Sequence, residues 1–374
     1  MKHPNPKYPC HLNETTDDSK LNYFLNGFSL SHPKIEDVLN TMLSVSTIHS
    51  SGTIWNITGS TGVGKSHLAD RFLKELDNGC KHTQEYDSTI PAVFIEAPAH
   101  GLGFDWKDFY LRILNELNED DLLKKCSYKV PDKNTYGRKY TTSSRKEVDL
   151  RGDVERSFID YKVKNFVVDE SQHLFKYSGG NGERNLDALK SLINLSGVSL
   201  YLLGTYETMF SIDWSGQLSR RGQDIHFSNY RYQNDKEYKE FVSSVSGLLA
   251  HIPFEFDESI VEDIEFLYCC SCGCIGVLKE HFDRALKKMI HDGECVLRRK
   301  HLEFEKLPNR KLKRIAEEMR EGVAYFDEPE LSEVMALLVD SQKNNMSEQV
   351  SNKPVSGNKR PGERKIGRDL IYVQ

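Results

Sequence analysis

An α/β core built on a phosphate-binding loop is the fold class this sequence predicts, and three observations predict it. The first is Gly59-Ser60-Thr61-Gly62-Val63-Gly64-Lys65-Ser66, which reads G-x-x-x-x-G-K-S. It follows the apolar, β-favouring run Thr53-Ile54-Trp55-Asn56-Ile57-Thr58 and leads into a helically spaced stretch from His67 to Leu73, the strand, loop and helix frame such a loop requires. The second is Asn165-Phe166-Val167-Val168-Asp169-Glu170, an apolar strand ending in two carboxylates. The third is helical periodicity from Lys236 to His291, which predicts a small lid after the core.

Residues 1–19 are polar and irregular and read as a flexible arm. A core of residues 20–232 follows, with an insertion at about 99–163. Its first helix runs from Ile35 to Leu43, with Ser31 and Pro33 as cap and first turn. Tyr23, Phe28 and His32 either fold over a nucleotide base or pack this N-terminal segment against the core.

At the loop, the glycines let backbone N–H groups turn inward around a triphosphate, and the helix behind adds its positive N-terminal end. Residues Gly59 to His67 form the candidate nucleotide-binding set, for ATP with Mg²⁺. Within it Lys65 would reach the β- and γ-phosphates, and the Ser66 hydroxyl would ligate the metal. Asp169 would join the Mg²⁺ shell, and Glu170 would polarise the attacking water.

A buried strand is predicted at Ala92 to Ala97 and an amphipathic helix from Asp105 to Lys125, with Phe109, Ile113, Leu114 and Leu117 on one side. The polar loop from Ser127 to Glu147 carries Lys129, Lys133, Arg138, Lys139, Arg145 and Lys146, candidate contacts to DNA phosphates in a chain stretch that could equally be solvated. A helix from Val154 to Tyr161 leads to the carboxylate strand. The strand Val198 to Leu203 ends at Gly204-Thr205, which makes Thr205 a candidate γ-phosphate sensor. Arg220 and Arg221, in Gln217-Leu218-Ser219-Arg220-Arg221, are candidates for an arginine finger offered to a neighbouring subunit, Arg221 ahead of Arg220.

The lid spans residues 233–300, and Lys279 near the start of its last helix is a further candidate nucleotide contact. Cys269, Cys270, Cys272 and Cys274 crowd its entry; the C-x-x-C from Cys269 to Cys272 raises a zinc or redox site, but four ligands in so few residues rarely span a tetrahedron, and the group reads as small apolar fillers. Helices are expected within 301–340, and 341–374 reads as a disordered basic tail that contains Lys353, Lys359, Arg360, Arg364, Lys365 and Arg368.

A net charge of −6 excludes a protein that coats nucleic acid with its whole surface, so any DNA contact must be concentrated. No apolar run is long enough to span a bilayer and the N-terminus lacks a signal-peptide pattern, so a cytoplasmic protein with free thiols and no membrane partner is expected.

The order of these segments resembles the AAA+ ATPases. More narrowly, Val168 to Leu174, Leu189 to Leu192, Leu203 to Glu207 and Gln217 to Arg221 resemble the TnsC/TniB family of transposon-encoded ATPases, and Arg360-Pro361-Gly362-Glu363-Arg364 is similar to that family's tails. The resemblance covers about Phe24 to Met289. It implies a five-stranded parallel sheet flanked by helices, a helical lid, and a ring or helical filament of the protein on duplex DNA. It also implies contacts to a transposase subunit and a target-selection protein, hence ATP-dependent regulation of DNA transposition. A helicase loader or replication initiator of the same fold, and a nucleotide-gated protein scaffold that never touches DNA, are the alternatives.

Overall fold

The computed structural model describes residues 4–47, 52–81, 90–99, 103–117, 146–175, 182–212, 222–327, 330–333 and 335–336. Five strands form one parallel sheet: β1 (Ile54–Thr58), β2 (Ala92–Glu96), β3 (Asn165–Asp169), β4 (Ser199–Gly204) and β5 (Gly222–His226), in the order β2-β3-β4-β1-β5. Five parallel strands with helices on both faces are what the AAA+ resemblance implies. Strands β1 and β3, inside the sheet, are buried along their whole length, as expected when both faces are covered, and β1 buries the polar Asn56 among its apolar residues.

Helices α1 (Asp17–Asn26) and α2 (Pro33–Thr47) precede the sheet, and α3 (Lys65–Lys81) follows the phosphate loop. One face of the sheet is covered by α4 (Trp106–Glu116), α5 (Glu147–Asp160) and α6 (Gly182–Ser196), whose Phe109, Phe158 and Leu189 pack on Phe166 and Val168. The other face takes α2 and α3, through Leu39, Met42, Leu68 and Phe72 against Ile57 and Leu203. Asp105 caps α4 by accepting from the backbone N–H of Lys107 and Asp108. Residues 118–145 lie outside the described residues, so of the helix expected to Lys125 only the part to Glu116 is seen. The helix expected from Val154 starts earlier, at Glu147, because Leu150 and Val154 share a buried face one turn apart.

After the short α7 (Tyr206–Ile212), the lid comprises α8 (Asp235–Ala250), α9 (Glu258–Glu262), α10 (Ile264–Ser271) and α11 (Ile275–His291). A two-residue parallel pair, β6 (Glu255–Phe256) with β7 (Val296–Leu297), closes it before α12 (Arg299–Glu305) and α13 (Asn309–Tyr325). Helix α1 packs into this lid: fully buried Phe24 joins Phe241, Leu278 and Phe282. A separate unit begins at Asp327; of its tail, 341–374 lies outside the described residues. No helix among the described residues is long and apolar enough to cross a membrane.

Buried His32, just ahead of α2, meets the irregular segment that follows β5: its Nδ1 lies 3.0 Å from the Tyr230 hydroxyl. Burial, aided by His67 and Arg71, pulls its pKa down to about 4. An imidazole near 6.5 when unfolded thus binds its proton better in the unfolded chain, so stability is complete above pH 6.5 and is lost as pH falls toward 4. At pH 5 the expected loss is about 2 kcal/mol relative to pH 7. Urea midpoints at the two pH values should differ accordingly in the wild type, and the difference should shrink in His32→Gln.

Candidate nucleotide-binding and hydrolysis site

The phosphate loop joins the tip of β1 to the first turn of α3. Gly62 and Gly64 take φ of +78° and +111°, left-handed positions that a side chain would strain. Gly59 is fixed by space instead: an added Cβ would fall 2.3 Å from the Phe227 carbonyl oxygen. The backbone N–H of Gly59 donates to Gly204 O at 3.2 Å, which ties the loop to the tip of β4. Ser60 and Val63 are buried, Thr61 stands exposed at the loop's tip, and Ser60 Oγ meets Cys274 Sγ at 3.4 Å.

Lys65 is buried and its Nζ donates to Gly59 O and Ser60 O, both at 2.9 Å. Burial holds its pKa below the usual lysine range, opposed by the carboxylates of Asp169 and Glu170. The ammonium is therefore kept at the centre of the loop, under-solvated and close to where phosphates would lie.

Ser66 Oγ donates to Asp169 Oδ2 at 2.6 Å. Two hard oxygens from opposite ends of the sequence motif pair thus converge, a donor set suited to Mg²⁺ with its retained waters. Register explains the meeting: β3 and β4 pair in parallel, β4 and β1 likewise, so their carboxyl ends open on one edge.

Glu170 follows with φ +53°, an uncommon value for a residue with a side chain, and its N–H donates to Asp169 Oδ1 at 2.9 Å. That kink turns the carboxylate out of the strand into a one-turn helix, Ser171–Leu174. Gln172, buried on this turn, donates from Nε2 to Glu170 Oε2 and accepts at Oε1 from the backbone N–H of Thr205 at 3.3 Å. The Thr205 hydroxyl is buried and finds no partner among the described residues, as do those of Ser171 and Thr208. Gln172 is the site residue that sequence reasoning missed. Its sign in the sequence is only a polar residue two places past Glu170.

The lid closes on the loop's apex. A Cβ on Gly62 would lie 2.5 Å from Val277 Cγ2, and one on Gly276 would lie 2.3 Å from Gly62 O. Lys279, a candidate nucleotide contact from sequence, turns away: its Nζ donates to Leu25 O at 3.1 Å, lies 3.4 Å from Asp283 and stands over the Phe24 and Phe28 rings. An ammonium held by Asp283 of its own helix, the Leu25 carbonyl and two ring faces has found its partners away from the loop. Tyr23 and Phe28 likewise pack on His251, with Tyr23 Oη 3.1 Å from its Nδ1 and Phe28 stacked on its ring. His67, on the first turn of α3, meets Ser29 Oγ at 2.8 Å.

Lys129, Lys133, Arg138, Lys139, Arg145, Arg220 and Arg221 lie outside the described residues, and Lys146 is the exposed N-cap of α5. No group of three or more His, Cys, Asp or Glu among the described residues could hold a metal ion; of the four crowded cysteines Cys270 and Cys274 are buried fillers, with burial pushing the Cys274 thiol up to about 12, whereas Cys272 is half-buried and Cys269 is exposed and fills nothing.

Fold and loop together define a P-loop ATPase. Residues 48–209 match the model of the AAA domain, so the chain carries an AAA domain and is an ATPase. A comparison with curated proteins finds no match. Among solved structures, Drosophila ORC bound to DNA aligns with a TM-score of 0.51 at 11% identity, over 97% of this chain and 91% of that one; the likeness is one of fold. The Aeropyrum pernix ORC2 protein in its ADPNP-ADP complexes gives 0.49 at 10% identity over 78% and 74%. Domain III of the Thermotoga maritima replication initiation protein DnaA gives 0.42 at 14% over 80% and 97%.

Proposed function

We propose that this ATPase regulates DNA transposition: it assembles with ATP on target duplex DNA and links a target-selection protein to a transposase. Lys65 and the loop amides hold the phosphates, and Ser66 and Asp169 hold Mg²⁺, which neutralises phosphate charge when bound. Glu170 takes the proton of the attacking water, Thr205 reads the γ-phosphate, and Arg221 or Arg220 of a neighbour completes the site. Hydrolysis then acts as a timer on the assembly.

The observation that carries this reading is the Gln172 bridge. Two of the runs that resemble the TnsC/TniB ATPases, Val168 to Leu174 and Leu203 to Glu207, meet there through Gln172 and Thr205. Gln172→Ala should lower the ATP turnover rate about tenfold with KM unchanged, since the base loses its orientation while the phosphate loop is untouched. Steady-state kinetics check this; a change confined to KM would remove the bridge from the mechanism.

A second reading, replication initiator or helicase loader, is favoured by the shared fold of DNA-bound ORC. Gel shifts with duplex DNA, with and without a non-hydrolysable ATP analogue, test both. Nucleotide-dependent binding supports them, and no shift in either condition would leave a protein scaffold. Stimulation of strand transfer by the cognate transposase then favours transposition, and capture of a replicative helicase favours the loader.

A further inference from the structure

Helix α13 crosses the carboxyl edge of the sheet beside the phosphate loop. Near its start, Cys272 Sγ from the lid entry lies 3.7 Å from Leu312 O. Ile315 and buried Met319 then join Val63 of the loop, Ile57, Phe227 and Val277 in one apolar cluster. Gly322 lies so close to the ring of Tyr206 that an added Cβ would fall 2.3 Å from Cδ1. Just past the helix, the Phe326 ring stacks on His226 at 3.9 Å and 5°. Val63 is inside the phosphate loop, and Tyr206 directly follows Thr205. The helix therefore reaches from the lid to the tips of β4 and β5, beside the phosphate loop and the residue after Thr205.

Glu318 sits on this helix beside Met319, half-buried. Burial pushes its carboxyl up; the Lys65 ammonium opposes that rise and Glu207 adds to it. Its neighbour Met319 packs on Val63 of the loop, so a carboxylate at 318 would repel a triphosphate seated there.

We infer that α13 is a cover built into the chain over the phosphate end of the site. Triphosphate displaces it and frees the face on which a second copy of the chain docks. The inference rests on the nucleotide-bridged assembly proposed above. It adds that assembly is opposed in each subunit by a segment of its own. Gly322 is what lets the cover seat, because any side chain there would collide with Tyr206.

Hydrogen exchange of the full chain tests this. Amides of residues 309–325 should exchange about tenfold faster when a non-hydrolysable ATP analogue is bound than without it. Gly322→Leu should show the fast rate without nucleotide and should assemble at a several-fold lower protein concentration. Glu318→Gln, which keeps shape and removes charge, should bind the analogue several-fold more tightly; it also serves if Gly322→Leu fails to fold. Unchanged exchange in 309–325 while the analogue binds and the protein assembles would overturn the cover alone. Wild-type analogue affinity in Glu318→Gln would do the same. Failure of the wild type to bind any adenine nucleotide would sink both the cover and the ATPase assembly on which it rests.

Discussion

Lys65→Ala should leave a folded protein that no longer holds ATP. The ammonium is buried and, among the described residues, donates only to the carbonyls of Gly59 and Ser60, groups of its own loop. Its pKa is lowered by burial, so the folded chain gains little from keeping that charge dry. Removing it should therefore not lower the thermal midpoint of the nucleotide-free protein. The loss falls on the ligand: charge-assisted bonds to two phosphates at roughly 1.5–3 kcal/mol each amount to an affinity drop of about a hundredfold or more. Calorimetric titration should find no ATP binding at micromolar concentrations, and ATP should no longer raise the midpoint. Wild-type affinity would show that the loop does not grip a triphosphate.

The second large effect is on turnover. Glu170→Gln keeps the size of the side chain, and its amide oxygen can still accept from Gln172 Nε2, so the left-handed turn after Asp169 should survive. Ser66 and Asp169 are untouched, and ATP binding and assembly should persist. What is lost is a carboxylate able to take a proton from water, a contribution of about a hundredfold to ten-thousandfold. Phosphate-release assays under saturating ATP should read that fall in the turnover rate, with long-lived ATP-bound assemblies visible by light scattering. Normal hydrolysis in this variant would move the base elsewhere.

The residues of these two predictions were legible in the sequence because their chemistry is local. Glycines at 62 and 64 answer to backbone angles within one loop, and Lys65 and Ser66 sit at fixed offsets from them. Asp169 and Glu170 end an apolar run whose strand length was readable from composition alone. The start of α5 was less legible, since the polar stretch before Val154 hides Leu150 as its inward residue.

Contacts between distant segments were not legible. Gln172 meets Thr205 across 33 residues of sequence, and nothing in either run announces the other. Lys279 shows the converse: its place at the head of a lid helix suggested a phosphate, and packing gave it the Leu25 carbonyl, the Phe24 and Phe28 rings and, from its own helix, the Asp283 carboxylate instead.

By itself the sequence determined the phosphate loop, the paired carboxylates and the succession of strands and helices, since these depend on neighbours a few residues apart. Only the tertiary structure decided that Gln172 ties Glu170 to Thr205, that α1 serves the lid, and that α13 lies across the strand tips. The physical reason is that such contacts are selected by shape and burial among all segments at once. Gly322 against Tyr206 is the plainest case: a residue with no side chain carries no sign of its partner, yet only its smallness allows them to meet.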